Sequence, residues 1–105
     1  MIICSHQSGW IKDQAPLDID INIYLPMLQE TGEWVCRVTI DFDRKYDQAI
    51  LGEDSFQALH LAFRFVRKLI DGFIMKGWNV SQRWGEGEGG KLNREQMEKY
   101  INALF

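Results

Sequence analysis

Only two cysteines and two prolines occur in the 105 residues, and no apolar run approaches the roughly 20 residues of a membrane span. Cys4 and Cys36 are too few for a disulfide scaffold, which places the chain in the reducing cytosol. The first ten residues, MIICSHQSGW, lack the basic flank and apolar block of a secretory signal. Candidate metal ligands are scarce too. Cys4, His6, Cys36 and His60 fall into no recognised zinc spacing. Apart from a glycine cluster near residue 87, no repeat or low-complexity tract is visible.

What is present is ordinary for a folded domain: 46% hydrophobic and 26% charged residues, which argues against disorder and fits a single domain. The net charge of −3 is unevenly spread. Residues 1–60 hold ten acidic and four basic side chains, and residues 61–105 hold five acidic and eight basic. Nucleic-acid binders carry a dominant basic face with aromatics in it. The acidic first part argues against that class, although Arg64, Arg67 and Lys68 make a local basic stripe.

The stretch from Gly52 to Asp71 is organised as a helix. Asp54 is a good N-cap, and Gln57 three residues on completes a capping box. At about 100° per residue, Ala58, Leu59, Leu61, Ala62, Phe63, Phe65, Val66, Leu69 and Ile70 cover about 200° of the circumference. Burial under a sheet, with one flank against something else, is the expectation. The helix is expected over about 54–72, with Gly72 and Gly77 as alternative stops.

This start, Gly52-x-Asp54-Ser55-x-Gln57-Ala58-Leu59 followed by Leu61-Ala62, resembles that of a family of small uncharacterised bacterial proteins. The resemblance covers the middle strands and the helix. It implies a fold more than an activity, and it carries an association with toxin genes, beside which such proteins serve as immunity proteins.

The strands show period two. Leu17, Ile19, Ile21, Ile23 and Leu25 alternate with Asp18, Asp20, Asn22 and Tyr24 up to Pro26. After a turn over residues 29–33, Trp34, Cys36, Val38, Ile40 and Phe42 alternate with Val35, Arg37, Thr39, Asp41 and Asp43. These two runs read as an antiparallel hairpin with one dry face and one wet face. Residues 1–11 and 47–51 are further strands, and Trp78, Val80 and Trp84 suggest a last one. Asn93 to Gln96 forms a second capping box ahead of a short helix over about 94–104, with Met97, Tyr100, Ile101 and Leu104 on one face. The expected class is α+β: a mostly antiparallel sheet of four to five strands with the long and the short helix on one face.

Three constellations could carry chemistry. Gly85 to Lys91 has the spacing of a phosphate loop, but Leu92 supplies no hydroxyl and Glu86 and Glu88 would face phosphate, so it reads as a connector and no cofactor is expected. Cys4 and His6 project from one strand face without a third orienting group, so the chain reads as not an enzyme. The third is the acidic face. Asp18, Asp20, Asp41 and Asp43 point outward from neighbouring strands, where like charges repel unless Arg37 or a basic partner compensates. Aromatic anchors suit a protein interface. Trp34 and Trp78 are expected in the core, Trp10 and Trp84 nearer the surface.

The function that the resemblance implies, and that a small acidic fold without a catalytic signature fits, is that of an immunity protein. It would occlude the basic active-site cleft of a cognate toxin domain of nuclease, deaminase, ADP-ribosyltransferase or NADase type. The expected partner surface is Asp18, Asp20, Tyr24, Asp41, Asp43 and Trp84. No metal, nucleic acid or membrane is expected as a partner. A homodimeric adaptor, joined through a sheet edge or helix flank, is the alternative; a small enzyme using Cys4 and His6 comes behind it.

Overall fold

The computed structural model describes residues 1–80 together with Glu95, Gln96, Glu98, Lys99 and Asn102. Its elements are β1 (Ile2–Lys12), β2 (Ala15–Tyr24), β3 (Met27–Leu28), β4 (Trp34–Asp41), β5 (Lys45–Gly52), α1 (Ser55–Met75) and β6 (Asn79–Val80). The fold is α+β, and the described residues form a sheet of six strands where four to five are expected. Neighbours run β5-β4-β2-β1-β6, and β3 lies along β4 beyond the end of the β2 pairing. All pairings among these strands are antiparallel.

The β1–β2 hairpin is longer than period two alone suggests. Lys12 pairs with Ala15, and between them Asp13 and Gln14 have φ of 51° and 65°. Two left-handed central residues make the tight turn whose twist matches that of the flanking strands. Without glycine at the second position, the turn escapes a reading by turn residues. Left-handed backbone costs an L-residue roughly 1–2 kcal/mol, and glycine avoids that cost. Gln14→Gly should therefore stabilise the fold by about 1 kcal/mol. The check is a higher urea midpoint at unchanged slope; an unchanged or lower midpoint would show that the turn is not strained. Pro16 is tolerated inside β2 because β4 pairs only with Asp20 to Ile23, so the ladder beside Pro16 is one-sided.

Alternation then sorts the side chains. Ile19, Ile21 and Ile23 of β2 and Cys36, Val38 and Ile40 of β4 are buried on one face. Leu25, expected to continue that row, lies past the end of β2 and is exposed. Helix α1 packs over β4 and β5 on this face. Its buried positions are Ala58, Ala62, Val66, Ile70 and Phe73, a stripe narrower than the expected half-circumference. Leu59, Leu61, Phe65 and Leu69 flank the stripe half-buried, and Phe63 is 36% exposed, so its expected place in the core is corrected. A small-residue stripe at Ala58 and Ala62 brings the helix close to the sheet, and so the larger neighbours ride on its flanks.

Both helix ends are capped. Asp54 has extended backbone, and its carboxylate accepts the Gln57 N–H at 2.7 Å. The Gln57 Oε1 accepts from the Glu53 N–H at 2.6 Å, one residue beyond the cap. At the other end α1 runs through Gly72 and stops at Gly77, whose φ is +100°. There the Gly77 N–H donates to the Ile74 carbonyl and the Trp78 N–H to the Phe73 carbonyl. That pair of bonds is a Schellman motif, closed by a glycine in the left-handed conformation.

An aromatic cluster closes the far end of the core. The Phe42 ring lies 4.8 Å from Phe73, 4.7 Å from Trp78 and 6.2 Å from Trp10. Trp10 is fully buried, contrary to its expected surface position, and its Nε1–H donates to the Ser8 hydroxyl at 2.9 Å. Trp34 and Trp78 are partly buried against the core. Of the last expected strand, Trp78 lies just before β6, and Asn79 and Val80 pair with Ile11 and Trp10. The glycine loop and Trp84 lie outside the described residues. So does most of the C-terminal helix expected over about 94–104; its five described positions have helical backbone, and Lys99 sits 3.6 Å from Glu95.

Candidate functional site

The sheet face opposite α1 is laid out in rows by the strand register. Met27, Val35 and Leu51 form one row across β3, β4 and β5. Asn22, Thr39 and Asp47 form another, and Gln7, Asp20, Asp41 and Lys45 a third. Asp18 stands beyond that third row, opposite Gly9. One end of the face is therefore apolar, with Met27 and Leu51 exposed, and the other is acidic.

Between these ends Arg37 is held from two sides. Its Nε and Nη2 donate to the two carboxylate oxygens of Asp47 at 2.9 and 2.7 Å, and its guanidinium lies 4.9 Å from the Tyr24 ring centre. These hydrogen bonds hold the Asp47 carboxyl below the ordinary aspartate range and raise Arg37 above its usual value. Since the folded pKa of Asp47 is depressed, the pairing contributes above the unfolded pKa and is lost as pH falls through the folded one. At an exposed site the contribution is small. Arg37 thus compensates Asp47 rather than Asp20 or Asp41.

That row sets Asp20 directly opposite Asp41, where Cα atoms lie about 4.5–5.5 Å apart. Lys45 is opposite Asp41 on the far side, yet among the described residues neither aspartate is in an ion pair. A shallow depression of about 110 Å³ opens beside them, lined by Gln7, Asp18, Ile19 and Asp20. Of the residues expected to form the partner surface, Asp18, Asp20, Tyr24 and Asp41 share this face. Asp43 does not. It lies past the end of β4, where its Oδ1 accepts from the Arg44 N–H at 2.9 Å and the Tyr46 hydroxyl at 3.3 Å. The turn side chain is spent on holding the β4–β5 connection. Reading alternation alone misses Lys45, Gln7 and the apolar row, because each depends on which strand neighbours which.

Cys4 and His6 share the opposite face, pairing with Ile23 and Ile21 of the buried row. Burial raises the Cys4 thiol and lowers His6, the reverse of what a thiolate–imidazolium pair needs. Cys36 is buried, with its thiol 3.3 Å from the Tyr24 carbonyl oxygen; burial raises it first, and the neighbouring Cys4 charge adds to that. His60 is exposed on α1. Among the described residues no three His, Cys, Asp or Glu side chains converge as a metal site, and no helix is long and apolar enough to cross a membrane.

Comparison with known families matched residues 8–87 to a family described as Domain of unknown function (DUF6968). No curated protein and no solved structure matched the chain.

Proposed function

The chain belongs to the DUF6968 family, and we propose that it is a non-catalytic binding protein, an immunity protein that neutralises a cognate antibacterial toxin domain in the cytosol. The observation that carries this reading is the Asp20–Asp41 pair, set opposite each other on a solvent-facing sheet. Like charges so placed destabilise the free fold by a few tenths of a kcal/mol or more. A basic surface brought against them relieves that repulsion. Acidic faces also steer quickly onto the basic clefts of enzymes that handle nucleic acid or nucleotides. Nuclease, deaminase, ADP-ribosyltransferase and NADase domains all have the required chemistry. The resemblance at the helix start supports the same class of role in interbacterial competition.

The test is co-expression with a toxin-like domain encoded beside this chain, with rescue of growth and copurification as the expected results. Steering adds a kinetic signature. Exposed charges are screened over about 8 Å at physiological salt, so association should slow steeply as salt rises while dissociation changes less. Reversing Asp20 and Asp41 to Lys should slow association by about tenfold or more, with circular dichroism unchanged because both side chains leave the core untouched. Full protection by the double reversal, or a salt-independent association rate, would place the interface elsewhere.

A further inference from the structure

Among the described residues, strand β5 is an open edge. Its eight residues pair with β4 in unbroken register from Trp34–Gly52 to Asp41–Lys45, and among the described residues its other side pairs with nothing. Such a row of unpaired N–H and C=O groups is a template for another strand, and proteins blunt it with proline, bulges or very short strands. Other strands use these devices: β1 has a register shift between Ile2 and Cys4, and β3 is two residues long. Over its whole length β5 has no proline and no register shift.

We propose that two copies of this chain pair antiparallel along β5, about a two-fold axis at Gln48, into one continuous sheet. The occupant is argued from the strand's own sequence. With Gln48 opposite its copy, Tyr46 meets Ile50 of the second copy on the helix-bearing face. Both are half-buried at the rim of the core, and the pairing extends that layer. On the other face Asp47 meets Ala49, and Lys45 meets Leu51, along which its aliphatic stem can lie. Lys45 is also diagonal to Glu53 of the second copy, within reach of a long side chain. No charge of the strand is then directly opposite a like one; Asp47 is diagonal to Asp47 of the second copy, and each of the two is held by its own Arg37.

Neighbouring registers lose this match. A slip of two residues one way sets Asp47 against Asp47. A slip of two the other way sets Gln48 against Ile50 and separates Tyr46 from it. A slip of one puts helix-face residues against outer-face ones. The two-fold axis stands perpendicular to the sheet, so both helices lie on one side and both acidic rows on the other. The pairing stands apart from the toxin reading and leaves the acidic row uncovered.

Sedimentation of the wild-type chain at micromolar concentrations should give twice the chain mass. Gln48→Cys should form a disulfide-linked dimer under mild oxidant faster than Asp47→Cys or Ala49→Cys, with the wild type as control for Cys4 and Cys36. Gln48→Lys, an exposed position that sets two like charges on the axis, should return the mass to that of a single chain without changing the circular dichroism. A wild-type monomer throughout overturns the proposal. So does a dimer that Gln48→Lys leaves intact, or crosslinking no faster at position 48 than beside it.

Discussion

Gly52→Ala should destabilise the fold by about 3 kcal/mol, the upper end of what an overpacked site usually costs. Gly52 is buried at the end of β5, opposite Trp34, where the chain turns into the first turn of α1. A Cβ there would lie 2.5 Å from the Ala58 backbone nitrogen, 2.8 Å from its Cα and 3.0 Å from its Cβ. The obstacle is helix backbone, which no rotamer change can move aside. Relief requires lifting α1 off β5 or bending the two-residue link of Glu53 and Asp54, and the second course breaks the cap. Gly72→Ala is the control. A Cβ at Gly72 meets nothing within 4 Å, and alanine is the better helix residue by roughly 0.5–1 kcal/mol. The same substitution should therefore carry opposite signs twenty positions apart. Urea denaturation of both variants decides it, and a Gly52→Ala midpoint at the wild-type value would mean that helix and strand are not in contact there.

Trp10→Ala should cost about 3–5 kcal/mol, as large-to-small replacements of buried aromatics do. The side chain is 0% exposed, lies edge-on to Phe42 and holds the buried Ser8 hydroxyl through its indole N–H. Alanine opens a cavity near the end of β1 and removes that donor together with the ring. Trp10→Phe keeps most of the apolar volume and loses the hydrogen bond alone, so its cost should be about 1–3 kcal/mol. The two variants separate packing from polarity. Near-equal midpoints for both would show that the bond, rather than the volume, dominates; a wild-type midpoint for Trp10→Ala would place the indole at the surface.

The contrast between Trp10 and Phe63 marks what the amino-acid order reveals and what it conceals. Alternation correctly sorts Ile19, Ile21, Ile23, Cys36, Val38 and Ile40 from their wet neighbours, because a strand's period of two is rigid. The capping box at Asp54 is equally local, and it is found where the sequence places it. A helix face is less decisive. Periodicity marks Phe63 and Ala62 alike as apolar, but the distance between helix and sheet decides which is buried, and Gly52 and Ala58 set that distance. Trp10 escapes notice because it follows Gly9 near an unassigned turn; its burial comes from Phe42 and Val80, both remote in sequence. The same holds for the outer face. The outward Asp18, Asp20 and Asp41 are legible from alternation, yet the opposition of Asp20 to Asp41, and the departure of Asp43 into a turn, follow from strand order and from where β4 ends.

The brevity of the connections bears on how the chain reaches this state. Asp13 and Gln14 join β1 to β2, residues 42–44 join β4 to β5, and Glu53 and Asp54 join β5 to α1. Each of these closures is local, and local closures are fast. The pairing of β6 with β1 is different, since it brings Val80 beside Trp10 across nearly the whole described chain. Loop-closure entropy grows with the length enclosed, so this contact gains most from forming after the hairpins and helix have shortened the effective separation. Phe42 meets both Trp10 and Trp78 at this junction, so the burial of the Trp10 indole is expected to follow hairpin and helix formation in a stopped-flow experiment rather than accompany it.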